Sequence, residues 1–179
     1  MQFVKISNKG TVHRKCLEII GIGTKQGKRD DQSIVGQFHS GFKMATIAAL
    51  RLGLRVVVSS TDEIGPYILN FSSKEIKFTH QGKEITARLV CYDYLNGYTE
   101  ETKIALSAFP KWTTIIGNDG KAAYPILREY VANAKDEDPS YSIRFDVENI
   151  KQAQSDSTAV YVEQTPEVIT STQITAFTA

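Results

Sequence analysis

The sequence has few cysteines, no long apolar run and almost no net charge. Its two cysteines, Cys16 and Cys91, each lie in an apolar stretch, so a buried, inert role is expected for both and their sparse use fits a reducing compartment. A formal charge of +1 excludes the basic footprint by which many proteins bind nucleic acid or anionic membranes. The most apolar segment, residues 45–58, is interrupted by two arginines and a glycine, so no membrane-spanning helix is expected.

The sequence contains enough apolar residues to form the core of one ordinary domain. The 179 residues are 41% apolar and 23% charged, which is typical of a globular protein rather than a disordered one. The amino terminus has no apolar signal segment, and we expect a soluble, cytoplasmic protein. No repeat or linker divides the chain. We therefore expect one domain over residues 1–165 and a C-terminal tail, residues 166–179, that is rich in serine and threonine and shows no strong pattern.

The spacing of apolar and turn-forming residues predicts an α+β fold. Strands are predicted over residues 2–7, 54–59, 67–71, 74–79, 84–92, 102–108, 141–147 and 158–163. Helices are predicted over residues 14–20, 40–52 and 125–135. Such a set favours a two-layer α/β sandwich, in which a mixed, mainly antiparallel sheet carries helices on one face.

The predicted helix 125–135 and the residue after it carry the first group of chemically useful side chains. At about 100° per residue, Glu129, Asn133 and Asp136 share a wedge of roughly 60°, beside a separate apolar stripe. A carboxylate can orient or deprotonate a water molecule, and an amide oxygen can ligate a hard cation such as Mg²⁺. An ordinary amphipathic helix with a solvated acidic face would show the same pattern.

The second group is a glycine-containing segment that leads into the alanine-rich helix. Glycines allow backbone amides to approach a ligand, and a helix amino terminus favours phosphate through its free N–H groups and its dipole. Two lysines nearby could add positive charge. A plain glycine turn before a helix would look similar. The segment reads Gly36-Gln37-Phe38-His39-Ser40-Gly41-Phe42-Lys43, and the other lysine is Lys25.

Taken together, the two groups resemble the sequence boxes of the GHKL (gyrase, chaperone, histidine kinase, MutL) ATPases. The segment from Gly36 to Phe42 is similar to the second glycine box of that family, and Glu129-x-x-x-Asn133-x-x-Asp136 is similar to its N box. Three further matches are weaker. They are Val4-Lys5-Ile6-Ser7-Asn8-Lys9-Gly10 (first glycine box), Gly23-Thr24-Lys25 (lid) and Thr102-Lys103-Ile104-Ala105-Leu106 (a closing strand).

The resemblance implies a Bergerat-like fold that binds ATP with Mg²⁺ and hydrolyses it slowly. Glu129 would be the general base and Asn133 the magnesium ligand. The nucleotide-binding residues it implies are Asn8, Gly10, Thr24, Lys25, Gly36, Gln37, Phe38, Ser40, Gly41, Lys43, Thr102 and Asp136. A nucleotide would be the main partner, a protein partner is possible, and neither nucleic acid nor a membrane is expected.

The chain departs from the family pattern in three ways. Its N box follows the glycine boxes, so the domain resembles a circular permutation, an order found in phage-encoded proteins that this chain resembles best. Asn8 replaces an aspartate that accepts from adenine, and His39 replaces a glycine. Either Asn8 or Glu167 would face the base. If phage-encoded, the protein would work in the host cytoplasm.

The permuted order makes two demands on the structure. The helix with Glu129 must lie beside the turn of residues 36–41, and strand 4–7 must neighbour one of the two late strands. Two alternatives to an ATPase remain at this stage. One is a nucleotide-binding module without hydrolysis, and the other is a virion or host-takeover component that reuses the fold for interaction.

Overall fold

The computed structural model describes residues 1–18, 41–94, 99–107, 123–152 and 156–178. Within these ranges the chain is α+β, with one seven-stranded sheet. Its strands are β1 (Phe3–Lys9), β2 (Val56–Asp62), β3 (Gly65–His80), β4 (Lys83–Tyr94), β5 (Thr99–Ala105), β6 (Ser142–Val147) and β7 (Ser157–Glu163). The described helices are α1 (Arg14–Glu18), α2 (Gly41–Arg51), α3 (Tyr124–Glu137) and α4 (Pro166–Thr178).

The strand order in the sheet is β5-β4-β3-β2-β7-β1-β6, and every described pairing is antiparallel. The first strand lies between the two last ones, since Ile6 pairs with Ile143 of β6 and with Val160 of β7. The expectation that strand 4–7 neighbours a late strand is therefore confirmed. The two ends of the sequence are joined in one half of the sheet.

The three longer helices lie on one face of the sheet. Alternation along β2 turns Val56 and Val58 towards these helices, and both are fully buried in a core that α2, α3 and α4 share. Alanine makes up much of α2, and its buried Ala45 and Ala48 let the helix lie close to its neighbours. The predicted layer arrangement is thus confirmed for the described residues.

A second, smaller core lies on the opposite face. Phe3, Val57 and Tyr161 are buried there with no described helix above them. The chain after β6 packs against this face instead, with Ile150 in contact with the cluster. The Ser59 hydroxyl donates a hydrogen bond of 3.0 Å to the carbonyl of Lys151 and so fixes that segment.

The C-terminal tail, expected to lack a strong pattern, forms helix α4 and packs against α3. Its start signal is in the sequence, because the Thr165 hydroxyl accepts the backbone N–H of Val168 at 3.2 Å and Pro166 opens the helix. Threonine has weak helix propensity, but the buried hydroxyl of Thr172 donates to the carbonyl of Val168, one turn earlier. Burial against α3 decides the structure where propensity does not.

The predicted strands 67–71 and 74–79 form one long strand, β3. It turns into β4 at Gln81 and Gly82, whose φ angles of 50° and 75° suit a two-residue hairpin turn. The hairpin predicted at this position is confirmed, and only the break between the two strands was wrong. Ser72 and Ser73 continue the ladder, paired with Cys91 and Val90.

An ion pair joins the first residue of α1 to the end of β2. Arg14 binds both carboxylate oxygens of Asp62, at 2.6 and 2.8 Å, and its guanidinium stacks on the rings of Tyr67 and Tyr94. The Asp62 side chain is only 1% exposed. Hydrogen bonding from Arg14 lowers the pKa of Asp62 to about 2, so the stability that this group contributes is lost as the pH falls from about 4 towards that value.

Replacing Asp62 with alanine should lower the free energy of unfolding by about 3–5 kcal/mol, because a largely buried arginine then loses its counter-charge. Urea unfolding followed by circular dichroism measures the change. Glu101→Ala is the control, since it breaks an ion pair with Lys74 in which the side chains are 59% and 42% exposed. It should change stability far less. Equal losses in the two variants would contradict this account of the Arg14–Asp62 ion pair.

Candidate functional site

The candidate site forms where the amino end of α2 meets the middle of α3. A Cβ atom placed on Gly41, the first residue of α2, would lie 2.3 Å from Oε2 of Glu129 and 3.2 Å from its Cδ. Real side chains do not approach so closely, so the carboxylate occupies space that only glycine leaves open. The structure therefore brings together these two predicted residues, which are 88 positions apart in the sequence.

Glu129 is half-buried and its pKa is raised above the ordinary range for a glutamate. Burial is the main cause, Arg128 acts in the opposite sense, and the negative charge of Asp136 adds to the rise. A carboxyl group with a raised pKa is a better proton acceptor than an ordinary exposed glutamate. This is the direction expected for a general base.

Asn133 lies one helical turn beyond Glu129 on the same stripe of α3. Its Nδ2 atom is buried and makes no hydrogen bond within the described parts of the chain. Buried polar groups are rarely left without a partner, since each such group costs about 1–3 kcal/mol. An amide in this state is suited to a ligand. Asp136, on the following turn, is exposed, as the predicted stripe requires.

Two side chains that sequence reasoning missed hold α2 against α3. The hydroxyls of Thr46 and Tyr130 form a buried hydrogen bond of 3.0 Å, and the ring of Phe42 lies 5.2 Å from the Tyr130 ring. Tyr130 is 1% exposed, and burial raises its pKa. A signal for this contact was present, because Tyr130 directly follows Glu129 and falls on the apolar stripe. Its partner on α2 could not be read from the sequence.

The end of β1 lies near the carboxyl end of α3. The backbone N–H of Lys9 donates to Oδ2 of Asp138, just after α3, at 2.9 Å. Gly10 adopts a φ of 99°, which favours glycine, and its carbonyl accepts the Thr158 hydroxyl at 2.9 Å. The Asn8 amide nitrogen donates to the carbonyl of Lys9, and Oδ1 of Asn8 has no partner among the described residues.

Glu167 lies at the other end of α3. Its Oε1 accepts the backbone N–H of Ala123, at the start of that helix, at 2.9 Å. Because α3 has 14 residues, its two ends are about 20 Å apart. Asn8, at the end that also carries Asp136, is therefore better placed than Glu167 to face a ligand beside Asn133.

Two other predicted site residues, Lys43 and Thr102, lie within the described parts of the chain. Lys43 is 6% exposed, and burial lowers its pKa to about 8, against a smaller opposing effect of Cys16. Thr102 belongs to β5, at the edge of the sheet, with four strands between it and β1. Among the described strands β5 pairs with β4 alone, which places Thr102 far along the sheet from Asn8.

The remaining predicted site residues lie outside the described residues. They are Thr24, Lys25, Gly36, Gln37, Phe38 and Ser40, together with His39. The described site consequently consists of the first residue of α2, the polar stripe of α3 and the end of β1.

No family model, curated protein or solved structure matches this chain. Within the described ranges, no helix has both the length and the hydropathy needed to cross a bilayer. The same ranges hold no cluster of three or more His, Cys, Asp or Glu side chains arranged for a metal ion.

Glu129→Gln should raise the melting temperature at pH 7, because it removes the cost of holding a half-buried carboxylate. The raised pKa means that the folded state is favoured most at low pH and loses stability as the pH rises through the pKa of the folded state. The gain should shrink towards pH 4, where the carboxyl group is largely protonated in both states. Differential scanning calorimetry across this range checks the sign. Glu148→Gln, an exposed control, should change the melting temperature little at either pH.

Proposed function

We propose that this chain is a magnesium-dependent nucleotide-binding domain that hydrolyses ATP slowly. The observation that carries the proposal is the contact between the Glu129 carboxylate and Gly41 at the amino end of α2. This places a candidate general base beside a helix terminus of the kind that binds phosphate. A nucleotide is proposed as the ligand because of the resemblance to GHKL ATPases. The fold is compatible with that resemblance, since helices cover one face of an antiparallel sheet.

One described side chain, the amide of Asn133, supports the proposal of a magnesium ion. The buried amide of Asn133 lacks a hydrogen-bond partner at Nδ2 and could supply its oxygen to the ion after rotation. Mg²⁺ usually keeps several waters and takes the rest of its ligands from one or two side chains and from phosphates, so a three-carboxylate cluster is not required. When bound, the ion would neutralise charge on the phosphates.

Each described residue would have a defined task. The N–H groups at the start of α2 would bind phosphate oxygens, and Glu129 would orient a water molecule and accept its proton. A phosphate and the Glu129 carboxylate repel one another at short range, so nucleotide affinity should depend on the cation. Oδ1 of Asn8, which has no partner within the described ranges, would accept a hydrogen bond from an amino group of the base.

The same contact favours a second candidate, a nucleotide-binding module without turnover. Glu129 lies directly against Gly41, where a terminal phosphate would also approach the helix. If that geometry persisted with nucleotide bound, little room would remain for an attacking water. Phosphate release distinguishes the two candidates.

Adding ATP or ADP with Mg²⁺ should raise the melting temperature. At a ligand concentration a hundredfold above the dissociation constant, the stabilisation should be about 2.7 kcal/mol. Asn133→Ala should remove most of the magnesium-dependent part of the shift, whereas Asn149→Ala, at an exposed asparagine, should retain it. If the wild type responds to no adenine or guanine nucleotide at millimolar concentration, the proposed function is wrong.

Glu129→Ala should lower the rate of phosphate release by about 10²-fold, the scale of lost general-base assistance, while nucleotide affinity stays within a few-fold. Gly41→Ala should also slow the reaction, because the new methyl group forces the carboxylate to move. Glu148→Ala is the exposed control. A wild type that binds nucleotide and releases no phosphate would favour the second candidate, and an unchanged rate in Glu129→Ala would exclude this residue as the base.

A further inference from the structure

The β3–β4 hairpin extends beyond the rest of the sheet. Pairing of β2 with β3 ends at Phe71, and pairing of β5 with β4 ends at Leu89. The carbonyl of Arg88 also accepts the backbone N–H of Leu106, so within the described chain residues 76–87 pair only with one another. A two-stranded hairpin is marginally stable in water by itself, so such an extension usually gains stability from a surface that packs against it.

The extended hairpin is amphipathic. On one side, the cross-strand pairs Ile76–Ala87 and Phe78–Ile85 form a strip together with Leu89, and we call these five residues the apolar strip. Phe78 is 49% exposed, one of the most exposed large apolar side chains among the described residues. The other side is polar. Its cross-strand pairs are Glu75–Arg88, Lys77–Thr86 and Thr79–Glu84.

The apolar strip lies on the face of the sheet opposite the helices. Phe71 belongs to the core beneath the helices, so alternation turns Ser72 and Lys74 to the opposite face, and Ile76 and Phe78 follow them. Two contacts confirm this alternation, since Ser72 donates to Asp93 and Lys74 forms an ion pair with Glu101. No described helix covers this side.

Charges of opposite sign lie at the two ends of the apolar strip. At the tip of the hairpin, His80 and Lys83 pair across the strands on the same side as the strip. At the base are the carboxylates of Asp93 and Glu101, of which Glu101 is bound to Lys74. Along β4, Cys91 (the partner of Glu101) and Asp93 lie eight and ten residues from Lys83, so the two ends are about 30 Å apart. The base also carries Lys74, so it has one excess negative charge from these three side chains, whereas the tip carries the positive charge of Lys83.

We propose that the apolar strip is the surface through which two copies of this chain associate face to face around a two-fold axis. Antiparallel packing sets the basic tip of each copy over the acidic base of the other, so Lys83 of one copy approaches Glu101 and Asp93 of its partner. A two-fold interface requires such self-complementary charge. An anionic membrane fits less well, because the acidic base would oppose it.

Sedimentation velocity at increasing protein concentration tests the proposal, without nucleotide, so that its outcome is independent of the proposed function. The wild type should form a dimer, and Phe78→Lys should raise the dimer dissociation constant at least about tenfold, as expected for a central interface residue. Thr79→Lys places the same charge on the polar side of the hairpin and should leave association unchanged. Circular dichroism confirms folding, and Phe78→Ala serves as a milder variant if Phe78→Lys fails to fold.

A charge exchange tests the orientation of the two copies. Lys83→Glu alone should weaken the dimer, because the new carboxylate would face the carboxylates of the partner copy. The double variant Lys83→Glu with Glu101→Lys should restore the dimer dissociation constant to within about threefold of the wild-type value. A wild type that stays monomeric at roughly 1 mM, where even weak contacts form, overturns the proposal. Equal effects of Phe78→Lys and Thr79→Lys overturn it as well, as does monomeric protein that binds phosphatidylserine vesicles.

Discussion

The arrangement of this molecule depends on the close approach of α2 and α3, and a glycine at the start of α2 leaves room there for the Glu129 carboxylate. With any side chain at position 41, the Glu129 carboxylate would have to leave its place. Farther along the same helix pair, the hydrogen bond between Thr46 and Tyr130 and the ring of Phe42 fix the relative position of the helices. Helix α3 therefore serves two purposes. Its apolar stripe packs into the core, and the neighbouring polar stripe forms part of the candidate site.

The sheet adds the second element of the site by joining the two ends of the chain. Because β1 lies between β6 and β7, its last residues reach the carboxyl end of α3, where Asp138 accepts the Lys9 N–H. The amino end of α2, the polar stripe of α3 and Asn8 are consequently fixed to one sheet, although they come from widely separated parts of the sequence. A permuted order of boxes is compatible with this arrangement, since the strands of the two chain ends are direct neighbours.

The polar groups of the protein fall into two classes that differ in how fully they are satisfied. Arg14 and Asp62 complete each other's hydrogen bonds, and their contact stabilises the fold. Asn133 differs, because its buried nitrogen has no partner in the described chain, and burial of Glu129 raises the pKa of that carboxyl group. Groups that cost stability where a ligand could satisfy them are typical of functional sites. The hydroxyls of Thr61 and Ser171 are buried without a partner among the described residues as well, so it is the position of Glu129 against Gly41 that favours α3 as the centre of the candidate site.

The sequence by itself determined most of the local structure. Alternating apolar residues predicted the strands, Gln81-Gly82 predicted the hairpin, and the spacing of Glu129, Asn133 and Asp136 predicted one polar stripe on a helix. Helix α4 was missed because its threonines have weak propensity, although Thr165 and Pro166 mark its start. Only the tertiary structure decided which elements meet, since contacts between distant segments leave no periodic trace in a single sequence. It set Gly41 against Glu129, buried Lys43 in the core, placed Thr102 at the far edge of the sheet and assigned Glu167 to the start of α3.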